Sequence, residues 1–345
     1  MEDDGVRATQ ATVVMTLWSE PPGRLQRTFA ALAAQEGLRA GLEVVVAVDP
    51  ADAITRVETT PSGAIRSVRI VDNPGGARSA GLNRAVRASS TPWICRVDAR
   101  SVVPPDYVAR CVELLQENTG AGVVGGLQCP TPAGPGVRAR AIARALANPW
   151  ALGGAAYRTG MHAGAVDTVY LGAFRRDELL TLGGYDERLD ANEDFELCQR
   201  YRTSGRTVWL DPRLRVPYTA RADLHGLWSQ YLAFGRSKVR FWRATGERPN
   251  GRQRLALTMG AVAAGAGGVT VALHPATALW AGVAAVGGLI VLDAAARQPA
   301  GPLVRMAAVP AYAILLGAWL AGVAVETVMP RRPPRAAGRE RASTA

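Results

Sequence analysis

The sequence predicts an α/β domain built on a mostly parallel sheet, followed by apolar C-terminal helices that cross a membrane. Three observations predict it. Strand-like and helix-like segments alternate through the first 220 residues. Residues 255–292 contain no Asp, Glu, Lys or Arg, and basic residues crowd the boundary between the two regions. A chain of 345 residues allows one large domain with an appendage.

The elements follow in order. Thr12–Trp18 is a β-rich run. Pro22–Gln35 places Leu25, Phe29, Leu32 and Ala33 on one helical face. Glu43–Val48 and Ile65–Val71 read as short buried strands, and Gly75–Ser89 as a helix. Pro92–Val97 is a strand that ends at Asp98. Pro104-Pro105 then opens a helix whose Val108, Cys111, Val112 and Leu115 recur at i, i+3, i+4 and i+7. Ala121–Gln128 is a further strand. The expected organisation is a flexible start at 1–11, an α/β domain at 12–220 and a basic amphipathic helix with linker at 221–254. An apolar region at 255–325 and a disordered Arg- and Pro-rich tail at 326–345 complete it.

The charge balance is basic, with 40 Lys+Arg against 29 Asp+Glu and a net charge of +11. Such a balance fits nucleic acid, an anionic membrane face or phosphorylated ligands. Its distribution decides: from Arg221 to Arg254 there are eight basic residues and two acids, directly before the first long uncharged stretch. That placement favours a membrane face, and no nucleic-acid recognition motif is present. Cys95, Cys111, Cys129 and Cys198 form no C-x-x-C pair, so reduced, mostly buried thiols are expected. The acidic N-terminus lacks a signal-peptide core, which places the α/β domain in the cytoplasm of a multi-pass cell-membrane protein.

The uncharged run is long enough for about two crossings, split by His274-Pro275 into 255–273 and 276–292; a third apolar stretch is 303–325. Small residues four apart, Ala261/Gly265, Ala278/Gly282 and Ala318/Gly322, suit close helix packing in lipid. Three crossings from a cytoplasmic basic block put the tail outside. Yet that tail carries Arg331, Arg332, Arg335, Arg339 and Arg341, which the positive-inside rule wants inside. Either one apolar segment is re-entrant or interfacial, or the tail breaks the rule.

In a parallel sheet, ligands bind beyond the carboxyl ends of the strands. Glu20, Asp49 and Asp98 each follow a strand and point to that rim. Asp49 can accept hydrogen bonds from a base or ribose, and Asp98 can hold a divalent cation that bridges a diphosphate. Asn73-Pro-Gly-Gly-Ala-Arg-Ser-Ala-Gly-Leu-Asn83 is a Gly-rich opening to a helix, where backbone N–H groups can approach phosphate; a plain tight turn is the alternative. In Gly183-Gly-Tyr-Asp-Glu-Arg-Leu-Asp-Ala-Asn-Glu-Asp-Phe-Glu-Leu197, Asn192 reads as an N-cap, with Glu193 and Asp194 in the first turn of the helix. A carboxylate fixed at such an end is placed to act as a general base.

Together these residues resemble family 2 glycosyltransferases with the GT-A fold, and within them the succinoglycan-biosynthesis branch. The likeness runs from about residue 12 to about residue 245. It rests on Gly75–Ala85, Arg96-Val-Asp98, Val103–Tyr107, Gly172–Arg175, Gly183–Glu187, Asn192-Glu-Asp194, Trp209–Arg213 and Gln230–Arg236. The resemblance implies a nucleotide-sugar donor, with uridine diphosphate as its carrier, and a lipid-linked or glycan acceptor. It implies Asp49 on the uracil, Glu20, Arg78, Asp98 and Arg100 around the donor, and Asp98 as the first metal-binding acid. Asp194 becomes the base, with Glu193 beside it, and attack on the anomeric carbon inverts its configuration. Gln230, Arg236 and Lys238 lie on a helix over Asp223–Arg243 that is expected to face the acceptor and the membrane, the alternative being an amphipathic helix that covers the sheet.

The sequence departs from the family pattern at three strand ends: Thr16-Leu-Trp-Ser-Glu20, Val48-Asp49-Pro-Ala and Asp98-Ala-Arg100. The last puts Arg100 where a second metal ligand is usual. Two alternatives follow: Mg2+ or Mn2+ on Asp98 with the donor phosphates, or Arg100 itself neutralising the diphosphate. The Q-x-x-R-W signature of processive polymerases is absent, which predicts transfer of one sugar. The principal rival is a catalytically degraded relative that binds nucleotide sugars as a sensor or scaffold. A dinucleotide oxidoreductase lacks its G-x-G-x-x-G after the first strand.

Overall fold

The structure, a computed structural model, describes residues 11–17, 22–51, 61–149, 151, 155–189, 191–273, 287–291, 293–294 and 299–330. In chain order the elements are β1 (Ala11–Thr16), α1 (Pro22–Ala33), β2 (Leu42–Val48), β3 (Ile65–Asp72), α2 (Arg78–Ala88), β4 (Trp93–Arg96), α3 (Tyr107–Glu117), β5 (Ala121–Thr131) and α4 (Val137–Ala147). There follow α5 (Ala156–Thr159), β6 (Gly164–Ala165), β7 (Tyr170–Arg175), α6 (Arg176–Thr181), α7 (Glu193–Thr203), β8 (Thr207–Thr219), α8 (Leu224–Thr245), α9 (Gly251–Leu273) and α10 (Pro302–Val328).

One eight-stranded sheet has the order β3-β2-β1-β4-β7-β5-β8-β6. β1, β2, β3 and β4 are mutually parallel, and β5 is parallel to β8. β7 runs antiparallel to both β4 and β5, and β6 antiparallel to β8. The sheet is therefore mixed: the expected parallel half is present, and β7 and β6 are the additions.

The alternation of side chains explains the layers. Val13 and Met15 of β1 face a core shared with Leu25 and Leu32 of α1 and Val108 and Leu115 of α3. Val14, one residue between them, faces Leu82 and Val86 of α2 and Leu197 and Tyr201 of α7. Strands apolar on both faces need helices on both faces, which is why β1 and β2 read as unbroken hydrophobic runs.

A third cluster joins α4, α8 and α10 through Ile142, Leu146, Leu227, Tyr231, Ala308 and Leu315. Among the described residues one helix, α10, is long and apolar enough to cross a membrane. Of the three expected crossings, 303–325 lies within it, 255–273 lies within α9, and most of 276–292 falls outside the described residues. The four cysteines are free, and three of them are buried.

Candidate active site

The sheet order places the site. The chain runs outward from β1 to β2 and β3, then crosses back to β4 on the other side of β1. Ligand crevices form at such reversals, beyond the carboxyl ends of the strands. Val14 of β1 pairs in register with Val45 of β2 and with Arg96 of β4. Asp49 and Asp98 follow shortly after these partners, so both stand on one rim as expected. Glu20 lies outside the described residues.

Asp49 is half-buried at its turn. Its Oδ1 accepts from the Ala51 amide at 3.0 Å and its Oδ2 from the Gly75 amide at 3.1 Å. The second bond ties the end of β2 to the glycine turn before α2. Gly75 and Gly76 both have positive φ, at 77° and 61°, so they form a turn and the helix starts only at Arg78.

Arg96 is the hub of the rim. Its Nε donates to Asp98 Oδ1 at 3.1 Å, and its Nη2 is 3.0 Å from Glu193 Oε1. Arg78, at the start of α2, brings Nη1 within 3.8 Å of the same Glu193 oxygen. The Arg96 guanidinium lies over the Tyr185 ring, 5.9 Å from its centroid. Arg96 and Glu193 are almost fully covered, at 6% and 3% side-chain exposure, whereas Asp98 keeps 29% and Arg78 49%. Four of the charged groups drawn from distant sequence motifs thus form one connected cluster with an open side.

The electrostatics follow from the geometry. Burial opposes the charge of Asp98, but Arg96, Arg78 and Arg100 overcome it and hold its carboxyl below the ordinary range. Burial is also the largest influence on Glu193 and pushes its carboxyl up. Asp194 adds to that push, against the pull of Arg96 and Arg78. Burial raises the Tyr170 phenol, and the charge of Asp98 raises it further. The Tyr170 hydroxyl shares a 3.1 Å hydrogen bond with Ser101 Oγ, which closes the floor beside Asp98.

α7 reaches the rim through a turn fastened to α2. Gly183 and Gly184 both have positive φ, at 87° and 70°, and a Cβ on Gly184 would collide with the Asn83 side chain. Asn83 Oδ1 accepts from the Tyr185 amide at 2.7 Å, and its Nδ2 donates to the Tyr185 carbonyl at 2.9 Å. Ser79 Oγ donates to the Leu189 carbonyl at 2.7 Å, and Arg200 Nη2 reaches back from α7 to the Gly184 carbonyl at 2.6 Å. The element directly before this turn is α6.

Asn192 occupies the N-cap position but corrects the capping expectation. Its backbone is left-handed, with φ 66° and ψ 16°, and its side chain makes no capping bond. Asn tolerates this conformation better than most residues. The kink turns Glu193 inward to Arg96 and leaves Asp194 exposed at the mouth. Asp194 Oδ1 accepts from the Phe195 amide at 2.8 Å.

Of the three residues expected to face the acceptor, only Lys238 adjoins this mouth. Its Nζ sits 4.0 Å from the Phe195 ring centroid and 4.3 Å from that of Phe241. Burial brings its ammonium down to about 8, against the pull of Asp194 and Glu247. Gln230 instead donates to the Tyr218 hydroxyl at 2.8 Å and accepts from Arg221 at 3.2 Å. Arg236 turns to Glu326 of α10, 3.6 Å away. Both are engaged in packing because they lie on other faces of α8.

Sequence reasoning missed the part played by Arg96, Tyr185 and Asn83. Arg96 carried one signal: a charged residue inside an otherwise buried strand, two positions before the rim acid. A buried charge of that kind needs a partner. Asn83 and Tyr185 are visible only once α2 and the Gly-Gly turn are brought together.

Among the described residues no three His, Cys, Asp or Glu side chains gather as a metal cage. Asp98 is a single ionised carboxylate, one oxygen of which is taken by Arg96. Such a group fits a Mg2+ or Mn2+ ion that draws its remaining ligands from a diphosphate and water. Arg100 stands where a second acid would enlarge that set.

Three comparisons bear on the family and the fold. The pattern of the glycosyltransferase-like family 2 matches residues 9–233. The succinoglycan biosynthesis protein ExoA of Rhizobium meliloti (strain 1021) is 31% identical over 260 residues, covering 74% of this chain and 76% of that protein. The mannosyltransferase PcManGT from Pyrobaculum calidifontis, solved in complex with GDP-Man and Mn2+, superposes with a TM-score of 0.62 at 19% identity, covering 95% of this chain and 90% of its own. That likeness shows a shared fold, and the sequence matches decide the family: this chain is a glycosyltransferase and belongs to glycosyltransferase family 2.

Proposed function

We propose that this protein is a membrane-anchored, inverting glycosyltransferase that moves a single sugar from a nucleoside diphosphate sugar, a uridine diphosphate sugar first among them. The acceptor is a hydroxyl of a lipid-linked or precursor glycan in cell-surface polysaccharide assembly. One observation carries the reading: beside the cluster of ionised Asp98 with Arg78, Arg96 and Glu193 stands an exposed carboxylate, Asp194, at the start of α7, whose charge acts on Arg96.

The donor lies along the rim. Asp49 receives the base, and its diphosphate meets Arg78 and Arg100. Asp98 would hold a divalent ion, which would supply further positive charge at the leaving diphosphate. Asp194 accepts the proton of the acceptor hydroxyl as that oxygen attacks the anomeric carbon from the face opposite the diphosphate. The carbon–oxygen bond to the diphosphate breaks with its electron pair, and configuration inverts. A positioned base contributes about 10²–10⁴ in rate, and preorganised positive charge at the leaving group is usually the larger contribution. Glu193 positions rather than reacts: it is buried against Arg96 and fixes the start of α7.

The name of the ExoA relative supports a reaction in polysaccharide biosynthesis, and the basic α8 with the apolar α9 and α10 supports a membrane-borne acceptor. The test is a panel of nucleotide sugars, uridine and guanosine series together, incubated with membranes containing the wild type or Asp194→Asn. The expected result is transfer of one sugar from one donor by the wild type alone, with inverted configuration by NMR. Donor binding without turnover by the wild type establishes the sensor reading instead, and long polymers refute single transfer.

A further inference from the structure

α10 passes every test of length and composition for a membrane span, yet its packing is that of a helix lying on the domain. α8 and α10 run side by side in the same direction. A Cβ on Gly235 would fall on the Trp319 carbonyl, and one on Gly322 on the Leu232 carbonyl, so the two backbones touch. Farther along, Arg240 Nε lies 3.0 Å from Glu326 Oε1, and Arg243 Nη1 donates to the Glu326 carbonyl at 3.1 Å. At the other end, Asp293 accepts from Arg144 of α4 at 2.6 Å, from Arg305 at 3.0 Å and from Tyr312 at 3.0 Å; Asn148 donates to the Tyr312 hydroxyl at 3.1 Å.

Both ends of α10 are therefore fastened to helices that cap the catalytic domain. α8 cannot follow α10 across a bilayer. Its opposite face packs on α7, with Phe241 and Phe195 ring centroids 5.5 Å apart. A crossing of about 30 Å of hydrocarbon would carry Arg236, Arg240, Arg243 and part of the sugar-transfer domain into lipid. The inner face of α10 is covered by α4 and α8, while Leu303, Met306 and Val328 on its outer face are 71%, 71% and 77% exposed. Leu255 and Met259 of α9 are exposed as well. α9 meets this helix at Leu320, where a Cβ on Gly260 would fall, but the exposed Leu303, Met306, Val325 and Val328 toward its two ends still form more apolar surface than a water-facing helix usually carries. Exposed Arg252 and Arg254 precede Leu255 in α9, which suits an anionic lipid surface.

We infer that α10 lies in the plane of an anionic bilayer surface, its outer face in the headgroup–acyl boundary, and does not span. This rests on the membrane reading above and resolves the charge conflict in the sequence. With α10 in the plane, the uncharged run 255–292 supplies at most the two crossings of a hairpin, and Arg331 to Arg341 stay on the side of the catalytic domain. It also fixes the height of the reaction: Asp194 precedes Phe195, which packs on α8, which packs on α10. The acceptor hydroxyl is then met close to the bilayer surface.

The test uses the full chain with nitroxide labels at Leu303→Cys, Leu316→Cys or Val328→Cys in a Cys129→Ser background. Each is reconstituted on vesicles of phosphatidylglycerol and phosphatidylethanolamine. Electron paramagnetic resonance with oxygen and a polar nickel chelate reads label depth, and retained sugar transfer shows that each variant is folded. Three similar shallow depths, with weaker flotation on phosphatidylcholine alone, support the inference. Labels 303 and 328 at opposite surfaces with 316 at mid-bilayer overturn it and leave membrane anchoring intact. Failure of the wild type to float with either vesicle overturns membrane anchoring and this inference together.

Discussion

Two of the molecule's arginine–carboxylate clusters differ in what they leave open. At the rim, Arg96 joins Asp98 and Glu193, but Asp98 keeps 29% of its side chain exposed, Arg78 keeps 49%, and Asp194 faces the mouth. At the C-terminal cluster, Arg144 and Asp293 are closed to 5% and 2%, and Asp293 accepts from Arg144, Arg305 and Tyr312. A closed cluster has spent its hydrogen-bonding capacity on the fold. An open one keeps lone pairs and positive charge for a ligand, which is why the proposed chemistry is assigned to the rim and a purely structural part to the C-terminal cluster.

Asp194→Asn breaks the comparison most sharply. Loss of a positioned base is expected to lower kcat by about 10²–10⁴-fold, while the melting temperature stays near that of the wild type because the side chain is exposed. Single-turnover transfer and calorimetry on the same preparation check both halves. A variant that melts early would move Asp194 from chemistry to structure.

Breaking the buried partners comes next. Asp293→Ala takes the partner carboxylate from Arg144, and Arg96→Met takes the nearer of two guanidiniums from Glu193. Each is expected to cost about 3–5 kcal/mol in denaturant unfolding. They separate in rate: Asp293→Ala leaves transfer per folded molecule unchanged, whereas Arg96→Met lowers it because α7 and Asp98 lose their common anchor. Equal rates in the two would erase the distinction between open and closed clusters.

The same contrast governs what was legible in the sequence. β1, β2, β4 and α3 were legible because each buries an apolar pattern of the correct period, and Asp49 and Asp98 followed from strand ends. β7 was not legible as an antiparallel insertion: it is six residues long, and Leu171 within it has φ 51°, a conformation no hydrophobic pattern announces. The inward turn of Glu193 depends on the left-handed Asn192, whereas capping preference alone predicts a side-chain cap. Hydropathy marked α10 as apolar but not which side of it is occupied, since protein and lipid cover Leu and Ala alike. The Ala318/Gly322 spacing suggested close helix packing in lipid; Gly322 does pack closely, but against α8 of the domain.

Gly184→Ala tests the delivery of α7 with a smaller change. The added methyl meets Asn83 at a residue with φ 70°, so about 1–3 kcal/mol of stability is expected to be lost. Because the displaced turn carries the start of α7, kcat should fall while donor KM stays within about two-fold, as expected when transition-state contacts alone are removed. Donor KM rising with kcat unchanged would detach this turn from the base.

Lys238→Met is the smallest effect and the one with a defined pH signature. Lys238 is a buried ammonium held at about 8, below its ordinary value of 10.5, by burial. A lysine with a lowered folded value binds fewer protons folded than unfolded between those two values. Its charge therefore penalises folding most below pH 8, and stability recovers as pH rises through the window toward 10.5. Removing it should stabilise the protein at pH 7, by about 1 kcal/mol once the attraction to the Phe195 and Phe241 rings is forgone. The gain should shrink steadily above pH 8 and vanish near 10.5. Melting temperatures of wild type and variant across pH 7 to 10.5 read this directly. A gain independent of pH would mean that packing, not desolvated charge, is what the substitution improves, and that Lys238 contributes no electrostatic tension beside Asp194.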